Sequence, residues 1–125
     1  MSIPTTLKNQ IGGSHYQKYR LQPLEFAEKV GLTAACFSAF KYVCRYKDKN
    51  GLEDLQKAIH CLAIFKECGV ERDLIIIDSQ YMIEFLEQFE ESQAQALFAI
   101  IQCQCLKSNV DKAFNLINVL LDQYK

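Results

Sequence analysis

The segment KYVCRYKDKNGLEDLQKA, residues 41–58, decides how this chain is read. It packs five Lys or Arg, three Asp or Glu and two Tyr around the turn signal Asn50-Gly51. Before it, Cys36, Ala39, Phe40 and Val43 recur at helical spacing, which leaves Lys41 and Arg45 one turn apart on another face. After it, Leu55, Ala58, Ile59, Leu62 and Phe65 continue a helix from Leu52 that Gly69 ends. Two helices joined through residues 47–51 therefore make a helical hairpin, with Thr33 as the expected N-cap of the first. Asp54 and Lys57, three apart, share a face near the hairpin mouth, where Arg45 ends its own helix. Like charges at i,i+4 cost an isolated helix ~0.2–0.5 kcal/mol, and a bound phosphate would offset that cost. The same charges also fit a solvated surface that pairs internally with Asp48, Glu53 and Asp54.

Outward from the hairpin, residues 1–22 are polar and carry Gly12-Gly13-Ser14-His15-Tyr16-Gln17, so they read as an extended arm. Pro23 suits the first turn of a short helix whose apolar positions Phe26, Ala27 and Val30 stop at Gly31. Leu74-Ile75-Ile76-Ile77 has strand-like residues but no alternation and no obvious partner strand, and reads as a buried connector or as a strand formed only within an oligomer. Three further helices are expected over residues 78–89, 92–106 and 110–124. Ser92-x-x-Gln95 has capping-box spacing, and Val110, Ala113, Phe114, Ile117, Leu120, Leu121 and Tyr124 recur near heptad intervals. The expected fold is all-α with about six helices: a central helical hairpin, an extended N-terminal arm and a C-terminal three-helix unit. Within one domain, residues 1–22 form the arm, 23–69 the basic hairpin region and 70–125 an acidic packing or oligomerisation region.

A length of 125 residues suits one domain, short enough that a homo-oligomer would help bury its apolar half. The formal net charge of -1 argues against a general nucleic-acid binder. That average hides an asymmetry, since residues 1–69 are net +4 and residues 70–125 net -5. The six cysteines contain no Cys-x-x-Cys, and Cys103-x-Cys105 has no neighbouring His, so they read as mostly reduced, buried small hydrophobes. Met-Ser-Ile-Pro-Thr-Thr lacks an apolar signal core and no run approaches the ~18 apolar residues of a membrane span. The expectation is a protein of reducing cytoplasm with no membrane contact.

His15 sits in a polar, glycine-bearing arm, where a phosphate or ligand contact is its natural use. Gly12 and Gly13 would let backbone N–H groups approach an anion. His60 lies beside Ile59 and Cys61 and reads as structural. Tyr42 and Tyr46 suit either stacking on a base or packing against Phe40 and Phe65. No phosphate-loop, Gly-x-Ser-x-Gly or His-Glu-x-x-His motif is present. Phosphoryl transfer would therefore rest on Lys and Arg charge and a metal held by Asp54 or Glu53.

Gly-Gly-Ser-His-Tyr-Gln, then Gln22-Pro23-Leu24-Glu25, Lys41-Tyr42-x-x-Arg45 and Lys49-x-Gly51-x-x-Asp54-Leu55-x-Lys57-Ala58 together resemble a bacteriophage family of small proteins often described as nucleotide kinases. The family includes a noncanonical nucleoside monophosphate kinase of a short-tailed coliphage. The resemblance spans about residues 12–65 and implies that His15, Tyr16, Lys41, Tyr42, Arg45, Lys49, Asp54 and Lys57 line a nucleotide site. The chain departs from the family at Ser38-Ala39, where many relatives have Gly-Asn, and at Cys61, where relatives tend to carry an aromatic.

The resemblance and the charge pattern lead to three functional expectations. The first is an oligomeric phage protein of the host cytoplasm that binds a nucleotide and acts as a nucleoside monophosphate kinase. In it Lys41 and Arg45 clamp phosphates, Lys49 or Lys57 neutralises developing charge, Asp54 holds Mg²⁺ brought with a nucleoside triphosphate, and His15 orients a phosphate or moves a proton. The second is a non-catalytic binder that sequesters a host nucleotide signal as an anti-defence protein. The third is a protein-binding module that docks a host factor through its acidic C-terminal half.

Overall fold

Proline needs no partner for the N–H it lacks, and Pro23 opens helix α1, Pro23–Val30. Gly31 closes it at φ 84°, donating its N–H to the Ala27 carbonyl at 2.9 Å. The chain is described here by a computed structural model over residues 20–75 and 78–124. The helices that follow are α2 (Ala34–Arg45), α3 (Leu52–Cys68), α4 (Ser79–Leu86), α5 (Glu91–Cys105) and α6 (Val110–Tyr124), with 3-10 turns at Tyr46–Asp48 and Lys107–Asn109. Among the described residues there is no strand, so the all-α expectation holds. No helix among them is long and apolar enough to cross a membrane.

The hairpin forms as its apolar periodicity dictates. Helix α2 buries Cys36, Ala39, Phe40, Val43 and Cys44, and α3 buries Leu55, Ala58, Leu62 and Phe65 against it. Helix α5 then lies along α2 and α6, while α6 also lies along α3, so the C-terminal helices complete a core shared with the hairpin. Helix α4 has eight residues, too few to persist in water alone. An aromatic stack holds it: Phe85 meets Phe26 of α1 at 4.2 Å and Phe40 of α2 at 5.5 Å between ring centroids. Each such pair adds about 0.5–1.5 kcal/mol beyond area burial.

Three glutamines fasten the loops to this core. Gln104, fully buried in α5, accepts from the Thr33 N–H and donates to the Gly31 carbonyl, both at 2.8 Å, which pins the α1–α2 turn. Gln93 donates through Nε2 to the carbonyls of Val43 and Cys44 at 2.8 and 3.3 Å, satisfying the end of α2. Gln88 accepts from the Leu21 N–H at 2.9 Å and donates to the carbonyls of Leu21 and Phe85.

These fastenings explain where the structure departs from local sequence rules. Thr33 occupies the N-cap of α2 but its side chain makes no capping bond. Helix α4 is capped by Asp78, which accepts from the N–H groups of Gln80 and Tyr81, and it ends at Leu86 because Gln88 turns back to Leu21. Helix α5 starts at Glu91, so Ser92 falls inside its first turn and contacts Gln123 rather than forming a capping box. Ile75 of the expected buried connector is 76% exposed and donates its N–H to the Val30 carbonyl at 2.8 Å; Ile76 and Ile77 lie outside the described residues. Most of the expected arm, residues 1–19, also lies outside them, while Leu21 and Gln22 are buried.

Candidate functional site

The end of α2, the 3-10 turn and the start of α3 converge on Asp54, which has no exposed surface. Its Oδ2 accepts from Arg45 Nε at 3.2 Å and from the Asn50 N–H at 3.3 Å, and its Oδ1 accepts from Arg45 Nη2 at 3.3 Å. A buried carboxylate is tolerated only when paired and hydrogen-bonded, and here three donors do that. The two-point contact also fixes the plane of the Arg45 guanidinium, whose side chain is 14% exposed.

Tyr42, half-buried on α2, gathers the cations. Lys41 Nζ and Arg45 Cζ each stand 4.8 Å from its ring centroid, and Lys57 Nζ of α3 stands 5.7 Å away. The negative face of an aromatic ring attracts cations by ~0.5–1 kcal/mol at exposed sites. Three positive charges around one ring repel each other, and charge-assisted hydrogen bonds to an anion, ~1.5–3 kcal/mol each, would outweigh the ring's contribution. Glu53 pairs with Lys57 at 3.5 Å and Asp54 with Arg45, while among the described residues Lys41 has no carboxylate within 4 Å. Burial pushes the Cys61 thiol up, and the Lys41 ammonium opposes that rise.

Gly51 sets the turn beneath this cluster. At φ 58° it adopts backbone that side chains rarely reach, and a Cβ there would lie 2.6 Å from the Tyr124 hydroxyl. Tyr46, buried, meets Tyr124 edge-on at 5.8 Å. The last residue of α6 thus closes over the turn whose Asn50 N–H bonds Asp54.

Of the residues expected to form a site, Lys41, Tyr42, Arg45, Asp54 and Lys57 come together. Lys49 is exposed on the turn, and His15 and Tyr16 lie outside the described residues. His60 is exposed on α3 rather than packed as a structural residue. Asp54 does not suit the Mg²⁺ role: it is fully buried and both its oxygens are engaged by Arg45 and Asn50. Among the described residues no three His, Cys, Asp or Glu side chains form a metal-holding group.

Lys47 turns away from the cluster and pairs with Glu90 at 2.6 Å. It lies on the rim of a cavity of about 560 Å³ between the 3-10 turn and the α4–α5 connector, walled by Cys44, Phe89 and Gln93. Sequence periodicity gave no signal for this cavity, because its walls come from separate elements and Gln93 sits where a helix would show a solvated polar residue. The Tyr124–Gly51 closure was equally invisible, being a contact between residues 73 positions apart.

A family described as a protein of unknown function (DUF3310) matches residues 11–62. The match spans α1, α2 and much of α3, and includes every residue of the Tyr42 cluster. No curated protein and no solved structure matches the chain.

Proposed function

We propose that this chain binds a nucleotide or nucleotide-derived small molecule through its phosphates, with Lys41, Arg45 and Lys57 as the clamp around Tyr42. The observation that carries this reading is the convergence of three cations on one ring, the Arg45 guanidinium held in plane by a buried carboxylate. Preorganised donors in this form lose little entropy when an anion arrives. Lys49 adds charge at the mouth, and the resemblance to the phage family brings His15 and Tyr16 to the same ligand.

Capture without turnover is the form of this reading that the geometry favours, since Asp54 positions Arg45 instead of offering a metal ligand. A phage protein that sequesters a host nucleotide signal would use the site in this way. Phosphate transfer to a nucleoside monophosphate is the second use, resting on the resemblance alone.

Calorimetric titration with nucleoside mono- and triphosphates and with pyrophosphate tests the clamp. Saturable binding that weakens as salt rises supports it, and no heat with any of these anions overturns it. A coupled assay with each deoxynucleoside monophosphate then separates capture from kinase activity. Self-association belongs to the same reading, and sedimentation velocity of the full chain checks it.

A further inference from the structure

We infer that the outer face of α5 and α6 is the surface through which two copies of this chain pair, with their α6 helices antiparallel. The inference gives a place to the self-association proposed above and stands apart from the phosphate clamp, whose Lys41, Arg45 and Lys57 lie on α2 and α3.

An exposed helix face is ordinarily solvated by charged side chains. Residues 92–106 hold no Asp, Glu, Lys or Arg, the longest such run in a chain that is 23% charged. Burial accounts for the inward side of α5, where Leu97, Ile100 and Ile101 are sealed, but not for its outward side. There Gln95 and Phe98 are exposed, Phe98 by 42%, and Leu116 and Val119 of α6 continue the apolar patch. Lys112, Leu116 and Val119 follow at helical intervals and share one side of α6. Between that side and α5 runs a groove of about 330 Å³, walled by Gln95, Phe98, Gln102, Lys112 and Leu116. Since a space of ~150 Å³ holds benzene, the groove has room for a phenyl ring, and Phe98 of the second copy supplies one. Depletion of charge around an aromatic residue is what marks the core of a protein–protein interface.

Charge selects a second copy as the occupant. Residues 70–125 are net -5, so two copies meeting through most of this half would oppose like charges, which the α5–α6 face avoids. Lys112 and Asp122, both exposed on α6, have no ion-pair partner among the described residues, whereas Asp111 is committed to Lys66 of α3 at 3.0 Å. Lys112 and Asp122 stand ~15 Å apart along the helix. A two-fold contact uses one patch twice, so antiparallel α6 helices set Lys112 of each copy against Asp122 of the other. Two such pairs would close the rim of an uncharged centre and fix its register.

Sedimentation velocity of the full chain from ~1 to ~500 μM, spanning the weak end of interface affinities, tests this. The parent chain should pass from monomer to dimer. Phe98→Glu puts a carboxylate into the groove of each copy and should weaken the dimer about thirtyfold, with circular dichroism and thermal melting unchanged, while Phe98→Leu should retain it. Lys112→Glu should weaken it about fivefold, and Lys112→Glu combined with Asp122→Lys should restore it. A parent chain that stays monomeric would leave the face to an unlike partner, overturning this pairing and the self-association without touching the clamp. A folded Phe98→Glu chain that still dimerises fully would keep the self-association and overturn this face. A charge-swapped chain no better than Lys112→Glu would overturn the antiparallel pairing.

Discussion

The Tyr42 cluster and the Phe89 cavity flank the same end of α2 and treat charge in opposite ways. At the cluster, cations outnumber carboxylates among the described residues, and one carboxylate is buried where it serves Arg45 and the Asn50 N–H. Among the described residues lining the cavity, two cations stand beside two carboxylates, with Lys47 and Glu90 paired. Local composition is nearly the same in both, since Arg45 and Lys47 are two residues apart. What separates them is the partner each cation finds: Asp54 lies on the hairpin, whereas Glu90 is brought from the α4–α5 connector. Helix packing therefore splits a single basic stretch, holding Arg45 on the hairpin and drawing Lys47 to the α4–α5 connector.

The largest expected effect follows from removing the buried carboxylate. Asp54→Ala strands Arg45 and the Asn50 N–H, and should lower stability by about 3–5 kcal/mol in urea unfolding. An unfolding midpoint close to that of the parent would show that the Arg45–Asp54 pair does not organise the hairpin. Next is Gly51→Ala, which forces a side chain to φ 58° and into the Tyr124 hydroxyl, at a cost of about 1–3 kcal/mol for the backbone alone. Adding Tyr124→Ala should recover only the steric part, and a fully restored stability would mean that the backbone is not strained by the substitution.

Smaller effects probe the two regions one at a time. Lys41→Ala should weaken pyrophosphate binding about tenfold, near the low end for a charge-assisted hydrogen bond, with a shallower salt dependence and unchanged thermal stability. A change in stability as large as the change in affinity would make Lys41 a structural residue. The mildest test is alkaline titration followed by phenolate absorbance. Burial, then the Glu25 carboxylate, pushes Tyr81 up to about 12, and burial followed by Glu90 and Tyr124 also raises Tyr46. Both phenols are held protonated in the fold above the ordinary value of about 10. Their contribution to stability is complete below about pH 10 and falls as pH climbs through the folded values, because the unfolded chain loses those protons first. Glu90→Gln should bring Tyr46 down and leave Tyr81 in place, and an unmoved Tyr46 would mean that Glu90 does not act on it.

Much of the hairpin was legible in sequence because each helix declares itself within one segment. Phe40 and Val43 on one side and Leu55, Leu62 and Phe65 on the other mark the buried faces, and Asn50-Gly51 marks the turn. The Lys41, Arg45 and Lys57 grouping followed from the same periodicity. The role of Asp54 did not, since nothing in residues 50–58 distinguishes a solvated carboxylate from one sealed beneath Arg45. The buried glutamines gave no signal for a similar reason: the use of Gln93 and Gln104 depends on which carbonyls the neighbouring elements leave unpaired.

The sequence by itself determined that this chain is helical, that a basic hairpin lies at its centre and that Lys41, Arg45, Asp54 and Lys57 lie near one another at its mouth, because these follow from hydrophobic periodicity and short-range turn chemistry. The tertiary structure alone decided which carboxylate is buried, which lysine leaves the cluster, where a cavity opens and what closes over Gly51. Those outcomes depend on contacts between residues far apart in the chain, and such contacts exist only once the apolar faces of all the helices have been packed together.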